Sequence, residues 1–204
     1  MGTAERRQRE KEQRRNDIVD AAEKVFFSRG FRDAKVGEIA DEAEVSKGTI
    51  YIYFGGKEDL YHAIVLRGVS LLSSMFEEAV RSRKSGIERI RAIGLAYIDF
   101  FREYPDYFNA LIHYEGHRTN KFPDENPLRH VAGALESGIE DGTIRGDIDP
   151  VRMALLLWGQ TTGVLQVASF KCEAVELEYG IPTSEILSYY MEQTHMMLRA
   201  RDGE

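Results

Sequence analysis

Apolar residues recur along this chain at intervals of three and four and nowhere in strict alternation, so each long segment reads as helix and none as strand. Ile18, Ala21, Ala22, Val25 and Phe26 form one stripe, ended by Gly30-Phe31, where glycine can take the left-handed backbone after a last turn. Val36, Ile39, Ala40 and Ala43 mark one face of a two-turn second helix. A turn as short as Glu44-Val45-Ser46 makes the next helix cross the second and leaves it projecting. That third helix turns Ile50 and Phe54 inward and carries Lys47, Thr49, Tyr51 and Tyr53 outside. Three such helices span roughly sixty residues, a size marginal alone, so this head leans on the rest of the chain.

Downstream, Leu60, Ile64, Leu71, Leu72, Met75 and Phe76 continue one long fourth helix, with Gly86 after its end. Ile87 to Phe101 is the next, and Pro105 opens another toward Tyr114. Asn126-Pro127 and Asp149-Pro150 each pair a cap with a first-turn proline, starting a helix that fades at Gly138 to Gly142 and an apolar one to Phe170. The last helix starts at Pro182 or Thr183 and runs through Arg199. Gly116 to Pro127 and Cys172 to Pro182 are expected to be mobile loops. The predicted fold class is all-α: residues 1–15 a mobile basic arm, 16–60 a three-helix helix-turn-helix domain, and 61–204 a helical bundle for ligand binding and dimerisation.

The two final helices read as a dimer seam. Leu155, Leu156, Leu157, Trp158, Val164, Leu165 and Val167 surround most of their helix, more apolar surface than one core face needs. Gly159 and Gly163, four apart, allow close helix approach. Ile186, Leu187, Tyr190, Met191, Met197 and Leu198 give the last helix a broad apolar side. Two helices from each of two chains make a four-helix interface, although the same surface also suits an internal core.

The stretch Val45-Ser46-Lys47-Gly48-Thr49-Ile50-Tyr51-Ile52-Tyr53-Phe54, closed by Lys57-Glu58-Asp59-Leu60, carries the chemistry. Ser46 can accept from backbone N–H groups at the helix start, and Thr49 follows one turn later on the same face. Gly48 costs about 1 kcal/mol against Ala in a helix, which points to something approaching the backbone closely, such as a phosphate or a base edge. A projecting helix with these donors suits the major groove. By spacing alone the aromatics also suit a core, and the lysines a solvated surface.

Ile18 with Ala21-Ala22 and Phe26, Gly30-Phe31, Val36 with Glu38-Ile39-Ala40, and the run from Val45 to Leu60 together resemble the DNA-binding domain of the tetracycline-repressor (TetR) family of bacterial regulators. The resemblance implies Lys47 and Tyr51 at the DNA edge, Thr49 and Tyr53 on phosphates, and Lys57 gripping the backbone. It further supports a homodimer joined through its two C-terminal helices. Two recognition helices related by a twofold axis read a palindromic double-stranded DNA operator at half-sites about 34–36 Å apart, and the cysteine, signal and span readings below point to a cytoplasmic protein. Relatives often carry a capping Thr where this chain has Lys35, so Glu38 lacks a reciprocal hydroxyl and Lys35 is free to reach a phosphate. Glu44 replaces a frequent turn glycine, and Gly37 replaces a long base-contacting side chain. Base reading therefore rests on the third helix.

Composition refines this picture. The 204 residues carry a formal charge of −7, which alone does not favour nucleic acid. Residues 1–16, however, hold six basic and three acidic side chains, while 61–204 hold 15 and 21. A basic arm, a weakly charged head and an acidic body hold one face on DNA and repel the rest. The arm reads equally as a solvated tail, and a disordered arm can order on phosphates. Cys172 alone permits no internal disulfide and no cysteine metal site, and the charged start shows no secretory signal. Val151 to Phe170 is broken by Arg152, Gln160, Thr161, Thr162 and Gln166, as suits a buried helix rather than a membrane span.

The body offers Tyr97, Phe101, Phe108, His113, Trp158, Gln160 and Gln166 as lining for a small apolar or amphipathic effector, with most aromatics serving as core. His113 and His117 are four apart, but Gly116 intervenes and no acidic or cysteine partner supports a metal; no cofactor or metal is expected. The expected function is a ligand-responsive DNA-binding regulator, a repressor released by its effector. The rival is a helical small-molecule-binding protein or enzyme with a vestigial head. No GxSxG, HExxH or phosphate loop favours it, and an enzyme is not expected.

Overall fold

The computed structural model describes residues 2–114, 126–170 and 172–200. Its elements are α1 (Thr3–Asp33), α2 (Val36–Glu42), α3 (Lys47–Tyr53), α4 (Lys57–Val80), α5 (Gly86–Glu103), α6 (Pro105–Ile112), α7 (Leu128–Glu140), α8 (Pro150–Phe170), α9 (Cys172–Tyr179) and α10 (Thr183–Leu198). The only extended pairing among the described residues is an isolated antiparallel bridge between Ile144 and Arg199. No helix among them is long and apolar enough to cross a membrane. They form two compact units, one running to Val69 and taking in α6 from Asp106, the other holding Ser70–Pro105 and the helices from α7 onward. These units divide at Val69, inside α4, while the sequence expectation places the end of the helix-turn-helix domain at Leu60.

Two segments differ from the sequence expectation. Residues 3–15, read as a mobile arm, continue helically into α1. Arg, Glu, Gln and Lys are good helix formers, and Arg6–Glu10, Gln8–Glu12 and Gln13–Asp17 link successive turns at 2.8 Å. The expected loop at Cys172 to Pro182 is instead α9. Glu173, Ala174, Glu176 and Leu177 favour helix, and the breakers come only afterwards, with Gly180 at φ 67° and then Pro182. Most of the other expected loop, residues 115–125 with Gly116 and His117, lies outside the described residues.

In the first unit α1, α2, α3 and the start of α4 bury Ile18, Phe26, Ile39, Ile50, Phe54 and Leu60. The helical course of α1 breaks at Gly30, whose φ of 77° and ψ of 163° suit glycine, as the sequence predicts. In the second unit α5 crosses α7, which packs on α8, with Phe76, Ile93, Phe100, Leu135, Leu157 and Leu165 buried. Asp141, just past α7, accepts from the Gly86 N–H at 2.7 Å, and Thr143 Oγ1 accepts from Ile87 N–H at 3.3 Å. The start of α5 is thus capped from the loop after α7.

Desolvation opposes ionisation of Asp141, but its hydrogen bonds from Thr143 and Gly86 prevail and hold its pKa below the usual 3.8. A depressed carboxylate contributes stability above its unfolded pKa and loses it as pH falls through the folded value. Asp141→Asn is expected to cost about 1 kcal/mol at pH 7, a figure kept small because the group is exposed. The deficit should shrink as pH falls below 3.8. Thermal unfolding across that range checks this, and a deficit independent of pH would rule out the charge.

Candidate nucleic-acid interface

The interface grows from the connection between α2 and α3. Glu38 accepts the Lys35 N–H at 3.1 Å, so the carboxylate half of the cap exists although lysine offers no acceptor in return. Glu38 also meets Arg29 at 3.0 Å. Beyond α2, Glu44 adopts φ 51°, the one non-glycine residue with positive φ among those described. This is the conformation a tight turn requires, taken without glycine's freedom. Val45 N–H closes the turn on Ala40 at 2.9 Å.

Ser46 then caps α3, accepting the Thr49 N–H at 3.1 Å, and its hydroxyl lies 2.9 Å from that of Thr49. Ile50 is fully buried on the inner side. Lys35, Ser46, Lys47, Gly48 and Tyr51 are exposed, whereas Thr49, Tyr53 and Lys57 are half-buried. Tyr53 packs on the core of the head rather than standing free of it. Lys47 lies across α2: a Cβ at Gly37 would come within 2.6 Å of its Cε and 2.9 Å of its Nζ. The bare backbone at Gly37 therefore makes room for the lysine of α3.

Lys57 opens α4 and donates to the Arg32 carbonyl at 2.9 Å, with its ammonium 4.7 Å from the centre of the Phe31 ring. Phe31 in turn stands 4.8 Å from Tyr61 and 5.9 Å from Phe26, so this lysine ties α4 to the end of α1. Arg15 lies 4.9 Å over Phe54, joining the basic segment to the end of α3.

Three features escaped the sequence reading. Residues 17–60 hold six basic and ten acidic side chains, so the head is acidic rather than weakly charged. Several acids are paired, Glu42 with Lys24 at 2.8 Å and Asp20 and Glu23 with Arg67 at 2.5 and 3.0 Å. Second, α6 joins this unit: the Tyr107 hydroxyl donates to Glu23 at 2.6 Å and its ring meets Phe27 edge-on at 5.3 Å. Burial first, and the adjacent Glu23 carboxylate next, push the Tyr107 phenol far above its ordinary pKa, so it remains a donor. Gly68 was the available signal, because a Cβ there would lie 2.6 Å from Leu111 and 3.0 Å from Tyr107. Third, Ile52 is 75% exposed on α3.

The effector candidates are dispersed. Phe108, buried, and His113, exposed, belong to the first unit. In the second, Tyr97 is buried and bonded to the Thr162 hydroxyl at 3.0 Å. Burial raises its pKa against that bond. Phe101 and Gln166 are half-buried, while Trp158 and Gln160 are exposed.

Residues 18–64 match the family model described as bacterial regulatory proteins, tetR family. The HTH-type transcriptional repressor KstR2 of Rhodococcus jostii is 30% identical over 145 residues, covering 67% of this chain and 70% of its own. The chain belongs to the TetR family. It is a DNA-binding transcriptional regulator with an N-terminal helix-turn-helix. The HTH-type transcriptional activator FasR of Mycolicibacterium smegmatis is 39% identical over 90 residues, 44% of this chain and 41% of FasR. The fold recurs in the regulator FadR of Bacillus subtilis in complex with stearoyl-CoA, at 19% identity and TM-score 0.71, covering 89% of this chain and 97% of that one.

Proposed function

We propose that this TetR-family chain is a repressor that holds a palindromic operator as a homodimer and releases it when a small apolar or amphipathic effector binds its C-terminal unit. One observation carries the dimer. Val151, Leu155, Leu156, Trp158 and Val167 of α8 are exposed together with Tyr189 and Met196 of α10, an apolar surface that a second copy would cover. Gly159 and Gly163 have open space where a Cβ would stand, which admits a neighbouring helix. Leu157, Leu165, Leu187 and Leu198, read from sequence as seam, are buried within their own chain, and Ile186, Tyr190, Met191 and Met197 are half-buried. Each helix thus has an inner and an outer apolar side, and only the outer one is proposed as seam.

On the DNA, Lys47 and Tyr51 meet base edges, Gly48 lets them approach closely, and Lys35, Ser46, Thr49, Tyr53, Lys57 and the basic residues of 1–15 hold phosphates. KstR2, a repressor matched over more of both chains than the activator FasR, supports the sign of control. The stearoyl-CoA complex of FadR supports an amphipathic effector. Of the aromatic and polar candidates, Tyr97, Phe101 and Gln166 suit it best, lying in one unit and at least half-buried. The effector releases DNA only by binding the DNA-incompetent form more tightly, and DNA weakens the effector reciprocally.

Sedimentation and mobility-shift titration test this together. The wild-type protein is expected to be a dimer that prefers one palindrome and is released as salt rises. Leu155→Glu with Leu156→Glu is expected to give a folded monomer that no longer retains the duplex. A monomeric wild type, or no DNA preference at low salt, would favour the rival small-molecule-binding role.

A further inference from the structure

Ile52 is 75% exposed, the most exposed large apolar side chain in the first unit among the described residues. Its place on α3 explains this. Ile50 is fully buried, and two residues further on a helix turns by about 200°, so Ile52 stands opposite the core. Gly48, four residues earlier, shares that outer ridge. At Gly48 a Cβ would meet nothing nearer than the Ser46 hydroxyl at 3.6 Å, so the ridge dips to bare backbone just before the isoleucine. Side chains on a helix lean toward its N-terminus, which aims Ile52 over that dip. Lys47, Thr49 and Tyr51 supply polar contacts on the flanks.

We propose that Ile52 reads a thymine in each half-site by packing on its C5-methyl group in the major groove, making it a specificity-determining residue of the DNA-binding function proposed above. Polar groups cannot distinguish this methyl, whereas an apolar side chain exposed on the leading ridge can. Gly48 lets the groove floor rise to meet it, because no side chain holds the bases away. An isoleucine makes no phosphate contact, so its contribution carries no salt dependence.

The test removes the methyl alone. A duplex selected by the wild-type protein from a random pool is resynthesised with deoxyuridine replacing each thymine in turn, in both half-sites. One replacement is expected to weaken wild-type binding about four-fold per half-site, or about fifteen-fold for the pair, the worth of one methyl group. Ile52→Ala is expected to bind the thymine and deoxyuridine duplexes alike at that position, with unchanged salt slope and thermal midpoint. Ile52→Val should keep part of the discrimination. Equal deoxyuridine penalties in wild type and Ile52→Ala, or no penalty in the wild type, would overturn the proposal while leaving the DNA-reading head intact. A pool from which the wild type selects nothing would overturn both.

Discussion

Gly86→Ala is expected to cost about 3 kcal/mol and to lower the thermal midpoint by roughly 6–12 °C. A Cβ at Gly86 would fall 2.1 Å from the Gly138 nitrogen, 2.2 Å from its Cα and 2.6 Å from the Ala134 carbonyl oxygen. These are backbone atoms, so no rotamer change relieves the overlap and α5 must move off α7. That movement also stretches the Gly86 N–H bond to Asp141 and the Ile87 N–H bond to Thr143. The gain in helix propensity is at most about 1 kcal/mol, too little to offset the displacement. Gly138→Ala should cost less, because its new methyl meets the Ile144 side chain at 2.4 Å, which can turn aside at the expense of a buried contact. Denaturant unfolding of both variants checks the order. An unchanged midpoint for Gly86→Ala would mean that the helices have slack at this crossing.

Such a crossing is invisible in the sequence, and its invisibility shows what patterning does and does not convey. The three- and four-residue rhythm, with prolines and caps at helix starts, marks α1 from Ile18 onward, α2 to α8 and α10, and the Asn126-Pro127 cap is seen in Asn126 accepting the Leu128 N–H at 3.1 Å. Local chemistry also conveyed the Ser46 cap and the strained Glu44 turn, because both depend only on neighbours in the chain. The association of α6 with the head was hidden: it depends on Tyr107 finding Glu23, 84 residues away. Composition misled at both ends of the molecule. A dense run of charges gives no apolar rhythm yet is helical, with Arg6 and Glu10 paired across one turn, and a segment between apolar blocks reads as a loop but holds α9. At the interface, residue type named the donors, whereas the direction each one faces required the packing of Ile50 and Gly37. The apolar stripe on α8 posed a similar ambiguity, since buried Leu157 and exposed Leu155 are identical side chains two positions apart.

Lys47→Ala is expected to weaken operator binding by roughly thirty-fold or more without changing dimerisation. A side chain that reaches a base edge contributes about 1–3 kcal/mol, and in a twofold dimer each substitution is made twice, so the loss is about 2–6 kcal/mol. The lysine is placed for such an interaction because its end lies beside Gly37, where a Cβ would come within 2.9 Å of the ammonium. Gly37→Ala should therefore push the same ammonium aside and weaken binding by less, since a flexible side chain can find another route. Tyr53→Phe should have a smaller effect still: Tyr53 is half-buried on the core, and only its hydroxyl is removed. Titration over a range of salt separates the two roles open to Lys47. If the ammonium holds a phosphate in each half-site, its removal would reduce the salt slope by about 2, whereas a base-reading ammonium would leave the slope and relax the preference at one position per half-site. Equal affinity of Lys47→Ala and wild type at fixed salt would remove Lys47 from the reading surface and leave recognition to Tyr51 and Ile52.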